Sequence, residues 1–327
     1  MAASGEAPLV VCTPANPHIR AIYTARARAS SACYGSAMRI LFVTSNRVGD
    51  AVLSTGLLDH LIRSYPDCRI TIACGPVAEG VFARMPNHER TIVMEKRPYG
   101  RHWLPLWAAS VGRVWDLVVD IRASALSYLV PTRARAVMRR RPGHKIEQLA
   151  AILRLDPPPL PVVWTALDDR ALAQRLLPDG GPIVALGPTA NWAGKVWPSE
   201  RLAELFRALP LANARAAVLA GPGAGERASA ESLLALLPGA IDLAGSLSLP
   251  QAAACLARVA LYVGNDSGLM HLAAAAGAPT LGLFGPTPAA EYAPTGRRTA
   301  VAVSSTGRME DLTVAQALDA AIPLLAA

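Results

Sequence analysis

Short, uninterrupted apolar runs, each closed by glycine or a polar turn, constrain this chain more than any other feature. RILFVTS (39–45), RITIACG (69–75), TIVMEK (91–96) and DLVVDIR (116–122) occupy the first half. PIVALGP (182–188), ARAAVLAGP (214–222), IDLAG (241–245), ALYVG (260–264) and PTLGLFG (279–285) occupy the second. A strand with one wet face alternates apolar and polar residues. These runs do not, so both of their faces are covered. Between them lie helical segments such as AVLSTGLLDHLIRSYP, VAEGVFARM, SERLAELFRAL and GLMHLAAAAG, and the tail 311–326 is amphipathic. The alternation predicts βαβ units on parallel sheets. Four prolines in LDPPPLPVVWT (155–165) forbid helix and central strand there. With TALDD they predict a linker between two doubly wound α/β domains, 38–165 and 166–327, and a chain of 327 residues suits two domains.

Charge divides at the same place. Residues 38–165 carry a net +8 and residues 166–327 a net −2, which implies different ligands for the two halves. The five cysteines (12, 33, 68, 74, 255) are scattered and odd in number, against a disulfide framework and in favour of a reducing compartment. The stretch 269–286 holds a histidine, three glycines and two prolines, so it reads as helix, turn and strand and not as a membrane span. Residues 1–37 read as a disordered leader outside the fold. The chain has no D-x-D, no H-E-x-x-H and no Cys/His cluster, so the expectation is no bound metal. The basic stretch 133–145 lacks interleaved aromatics, which argues against nucleic acid.

In doubly wound sheets ligands bind outside the carboxyl ends of the strands, and four loops there carry chemistry. NRVGD follows the first strand. Its Asp50 is either an N-cap or a carboxylate aimed into a cleft, able to act as a base. GPTANWAGKVWP (187–198) nearly imitates a P-loop but lacks its Gly and Ser/Thr. Lys195 there is either solvated or placed to neutralise a phosphate. GPGAGE (221–226) misses the dinucleotide fingerprint, and Glu226 either caps a helix or accepts a ribose hydroxyl. In VGNDSGLMHL (263–272), Asp266 closes a strand. Ser267 and Gly268 open a helix whose free N–H groups suit an anion, and His271 is near enough to face the same ligand.

GNDSGLMHLAAAAGAPTLGLFGPT, together with NRVGD and KVWP, resembles the ADP-heptose:lipopolysaccharide heptosyltransferases, glycosyltransferase family 9, over roughly 38–325. The resemblance implies a GT-B arrangement, two tandem Rossmann-like domains facing across a cleft, with the acceptor on the first and the nucleotide-sugar on the second. It implies inverting, metal-independent transfer of heptose from ADP-heptose to the lipopolysaccharide inner core, with no cofactor beyond the substrate. By the resemblance Asp50 is the catalytic base and Lys195 holds the donor phosphates. Thr189, Asn191, Glu226, Asp266, Ser267, Gly268 and His271 complete the donor site. Arg47, Arg139, Arg140 and Arg141 meet a lipid-linked or saccharide acceptor at an anionic membrane surface, which places the enzyme in the cytoplasm, peripheral on the inner face of the inner membrane. Asn191, Pro288 and Gly56 stand where the family often has Ser or Thr, Asp and Pro. A GT-B transferase with another nucleotide-sugar and acceptor, or a non-catalytic polyanion-binding protein, are the competing readings.

Overall fold

The computed structural model describes residues 37–95 and 98–326. The leader expected over 1–37 falls, but for its last residue, outside the described residues. Two parallel sheets organise the chain. The first contains β1 (Arg39–Val43), β2 (Arg69–Cys74), β3 (His88–Val93), β4 (Trp115–Asp120) and β5 (Thr132–Val137), in the order β3-β2-β1-β4-β5. The second contains β6 (Ile183–Gly187), β7 (Arg215–Val218), β8 (Ile241–Asp242), β9 (Leu261–Asn265), β10 (Thr280–Phe284) and β11 (Thr299–Val303), in the order β11-β10-β9-β6-β7-β8. Strands β4, β6, β9 and β10 are buried at every residue, as their unbroken apolar composition requires.

In both sheets the strand order reverses beside the first strand. β1 lies between β2 and β4, and β6 between β7 and β9. The loops leaving β1, β6 and β9 therefore open at the switch points, where ligands of such sheets bind. The helices that follow them are α1 (Val48–Ser64), α6 (Ser199–Ala208) and α9 (Gly268–Ala275). The others that bear on the site are α2 (Trp103–Val111), the single turn α3 (Leu126–Leu129), α4 (Lys145–Ala150), α5 (Leu167–Leu176), α7 (Ala224–Leu236), α8 (Leu249–Leu256), the short α10 (Ala289–Tyr292) and α11 (Val314–Leu325).

Several expectations need correction. The helical segment VAEGVFARM is a 3-10 helix that runs over Pro76–Phe82 and ends short of Met85. There a Cβ at Gly75 would lie 2.7 Å from Asn46 Cβ, and one at Gly80 3.3 Å from Leu249 Cδ1. The run expected as a strand over 91–96 is shifted to His88–Val93. TALDD is not linker: α5 begins at Leu167, with the Ala166 N–H held by Asp169 at 2.8 Å. Burial works against the charge on Asp169, but Arg84 and the Ala166 N–H outweigh it and hold the carboxyl below its usual range. The Arg84–Asp169 pair, 3.0 Å, ties the first half to α5. The proline segment itself runs without regular structure along α1. Val162 N–H donates to Thr55 Oγ1 at 2.9 Å, and a Cβ at Gly56 would lie 2.6 Å from the Pro159 carbonyl oxygen. A side chain at position 56 would collide with the linker backbone.

Candidate active site

Two helix N-termini, one from each half, meet across the cleft. A Cβ at Gly268, the first residue of α9, would lie 2.9 Å from Val48 Cβ and 3.3 Å from the Gly49 nitrogen in α1. A Cβ at Gly49 would lie 2.9 Å from His271 Cδ2. Only glycine at both positions lets the helix ends approach this closely. Each end carries unsatisfied N–H groups and a partial positive charge, so the cleft between them favours anions.

Asp50 is not the N-cap of α1. That position belongs to Arg47, which makes no side-chain cap bond. Asp50 stands in the first turn, half-buried, and accepts a hydrogen bond from Ser45 Oγ at 3.1 Å. Arg47 is exposed, and its backbone N–H donates to Ser45 Oγ at 3.2 Å. The hydroxyl of Ser45 thereby joins the loop to the carboxylate and fixes its direction.

On the other half the loop after β6 brings Lys195 to Asp266, with Nζ 2.6 Å from Oδ2 and the side chains only 13% and 9% exposed. Thr287 Oγ1 donates to the same oxygen at 2.9 Å. Thr287 was not singled out from sequence, although the GPT of the LFGPT block contains it. Its role depends on β10 lying beside β9, which brings its loop to Asp266. The neighbouring Asn265 accepts from the Trp197 N–H at 3.0 Å, and the buried Trp197 indole donates to the Leu312 carbonyl at 2.9 Å. The KVWP motif is thus a clamp that holds Lys195 over β9. The Asn265 Nδ2 is buried without a partner.

Ser267 is the N-cap of α9, and His271 is buried in its first turn. His271 Nδ1 has no partner, and burial lowers the imidazole pKa to about 4, against the opposing pull of Asp266 and Asp50. His271 is therefore neutral at pH 7 and supplies no standing positive charge. Tyr262 reaches towards Ser267 from below, its hydroxyl lodged between Gly187 and Gly264, and burial pushes its pKa well up. Thr189 is buried in the Lys195 loop while Asn191 is exposed. Glu226 lies in the first turn of α7, whose N-cap is Gly223, and folds its carboxylate over Gly221. It stands at the end of β7, the strand next to β6, on the carboxyl side of the sheet.

The arginine run divides. Arg133 pairs with Asp116 at 3.4 Å and Arg135 donates to the Ser127 and Val130 carbonyls, both from the edge strand β5. Arg140 is within electrostatic range of Tyr292 on the second half, as is Asp50. Arg139 and Arg141 line a separate cavity outside β5. The stretch is therefore not one continuous acceptor patch. His144, unremarked in sequence, caps α4 through Nδ1 and donates from Nε2 to the Ala293 carbonyl at 3.0 Å, joining the halves across the cleft.

The family model of glycosyltransferase family 9 (heptosyltransferase) matches residues 126–321, more than half of the chain. The chain belongs to glycosyltransferase family 9. It is 28% identical over 303 residues to lipooligosaccharide heptosyltransferase 2 of Haemophilus influenzae, covering 79% of this chain and 86% of that one. Its fold is similar to that of a family 9 glycosyl transferase from Veillonella parvula, with a TM-score of 0.73 at 21% identity over 89% and 98% of the two chains. It is also similar to that of the E. coli ADP-heptose lps heptosyltransferase II, with a TM-score of 0.70 at 22% identity over 88% and 98%. The two parallel-sheet domains form the GT-B arrangement, and this family 9 member is a glycosyltransferase.

Proposed function

We propose that this glycosyltransferase moves a heptose from ADP-heptose to the inner core of lipopolysaccharide, with inversion at the anomeric carbon and without a metal. One observation carries the reading. A half-buried carboxylate on the first half, Asp50, stands at the end of α1 that meets α9, where His271 lies within electrostatic range of Asp50, Asp266 and Lys195 together. The relatives named as heptosyltransferases support the sugar and the acceptor.

Asp50 takes the proton of the acceptor hydroxyl. The freed oxygen attacks the anomeric carbon from the face opposite the diphosphate, and the carbon–oxygen bond to the diphosphate breaks. Negative charge grows on the leaving ADP, where Lys195 and the N–H groups at Ser267 and Gly268 stabilise it. Lys195 turns from Asp266 towards the phosphate, and Thr287 keeps Asp266 in place. Thr189, Asn191, Glu226 and His271 frame the donor, with Glu226 at the ribose or sugar. The electropositive rim of Arg47 and Arg140 receives the acidic core. The enzyme works at the cytoplasmic face of the inner membrane, and among the described residues no helix is long and apolar enough to cross it.

The test is transfer from ADP-heptose to heptose-deficient lipopolysaccharide, with the product's anomeric configuration read by NMR. Thermal melting against ADP, UDP, GDP and CMP identifies the base, since a ligand at about 100 times its Kd adds roughly 2.7 kcal/mol. A shift with UDP alone would overturn the ADP assignment, and a rate that EDTA abolishes would overturn metal independence.

A further inference from the structure

On the first half an exposed apolar surface stands beside an arginine-lined cavity, and the active site uses neither. Leu104 and Trp107 lie three residues apart on α2, hence on one side of it, 64% and 41% exposed. The Trp107 indole donates to the Leu129 carbonyl at 3.1 Å, which brings α3 alongside with Tyr128 and Leu129 66% and 61% exposed. Tyr128 is shared with the neighbouring feature. It lines a cavity of about 320 Å³ with Arg135, Arg139, Arg141, Gln148 and Arg154, and no acidic residue lines that cavity. The Arg135 guanidinium lies over the Tyr128 ring at 5.9 Å. Among the described residues Arg139, Arg141 and Arg154 form no ion pair.

Arg139, Arg141 and Arg154, three arginines lining one cavity without an acidic residue, suit a phosphate. Tryptophan, tyrosine and leucine presented beside them suit the boundary between headgroups and acyl chains. The surface is also tied to the catalytic loop. Arg122 stacks on Trp103 of α2 at 5.1 Å and donates to Asn46 Oδ1 at 3.0 Å, four residues before Asp50. We propose that α2, α3 and the arginine cavity dock the enzyme on a bilayer of anionic phospholipid. Leu104, Trp107, Tyr128 and Leu129 enter the interface, the cavity takes a lipid phosphate, and the Asp50 side of the cleft is held towards the membrane. The proposal rests on the membrane-borne acceptor put forward above and names the surface that reaches it.

The test is co-sedimentation of the full chain with vesicles of phosphatidylcholine alone or with phosphatidylglycerol, all without lipopolysaccharide. The parent should bind the mixed vesicles and leave the neutral ones. The double variant Leu104→Glu, Leu129→Glu should lose about tenfold or more in partition. Arg154→Gln should lose about fivefold, the worth of one arginine near an anionic surface. Both should keep the parent's ADP-induced melting shift and its melting temperature, which shows that they fold. Inorganic phosphate should weaken vesicle binding somewhat more than chloride of equal ionic strength, because it competes for the cavity, and should leave the contribution of Leu104 and Leu129 in place. Equal binding by parent and double variant would overturn the proposal, as would binding blind to lipid charge. A parent that binds vesicles but ignores ADP would defeat the donor assignment and leave this surface standing.

Discussion

The two halves of the cleft solve opposite problems. On the second half, polar groups are spent on one another before any ligand arrives: Lys195 and Thr287 on Asp266, Trp197 on Asn265. Beneath them lie strands buried at every residue. On the first half Asp50 has one hydroxyl partner, and Arg47 and Arg140 stand exposed. A site that must fit one small diphosphate gains from fixed dipoles that need no rearrangement during reaction. A surface that meets a large, multiply charged acceptor gains from long side chains that adapt. The halves also differ in net charge, +8 against −2.

Asp50→Asn is the sharpest way to break the comparison. It keeps the shape and removes the base, so transfer should fall by about 10²–10⁴ while the ADP-induced melting shift persists. Transfer at the parent rate would remove chemistry from the first half. Lys195→Ala should lower turnover by about 10²–10³ and also weaken ADP, because it strips charge from the fixed half. Kinetics in which only the acceptor KM moved would place Lys195 on the wrong side.

Gly268→Ala tests the meeting of the helix ends. The added methyl must push Val48 and the Gly49 backbone away, and overpacking of this kind costs about 1–3 kcal/mol. A lowered melting temperature and reduced turnover should appear together; an unchanged melt would show that the halves do not rest on each other there.

His271 gives a pH dependence with a definite sign. Its folded pKa, lowered to about 4, lies below the ordinary value of 6.5. Between these values the unfolded chain binds a proton that the folded one refuses, so stability falls as pH drops from about 6.5 towards 4. His60 and His88, also lowered by burial, act in the same direction. Denaturant melts across that range should show a shallower slope in His271→Asn than in the parent, and parallel slopes would mean that the imidazole is not held neutral. Arg140→Gln should have the smallest effect. A partly exposed charge contributes about 0–1 kcal/mol, so the acceptor KM should rise about fivefold at most, with donor affinity unchanged. A changed ADP affinity would blur the division between the halves.

What was readable in the sequence follows the physics of burial. The strands around both switch points are apolar on both faces and announce themselves. β5 does not. It is an edge strand whose arginines alternate outward, so its residues read as a charge run. Helix α5 hides behind the prolines because it carries Asp168, Asp169 and Arg170 at its start. The GNDSG loop pointed to a site because its small residues and its place after a strand are local facts. Thr287 and His144 could not be placed in the same way, because each acts on a residue that only the fold brings near. Asp50 illustrates the middle case. Its loop was legible, but whether it capped the helix turned on a boundary lying three residues away at Arg47.

The clamp on Trp197 also sets an order of events during synthesis. The first sheet needs the chain only as far as Val137, where β5 ends. The Lys195 loop must wait longer, because its tryptophan is anchored on the carbonyl of Leu312, just ahead of α11. A chain cut short before that residue would carry Asp50, Lys195 and Asp266 and still lack the anchor that steadies the Lys195 loop. The Lys195 loop thus draws its steadiness from a residue 115 positions further along the chain than its tryptophan.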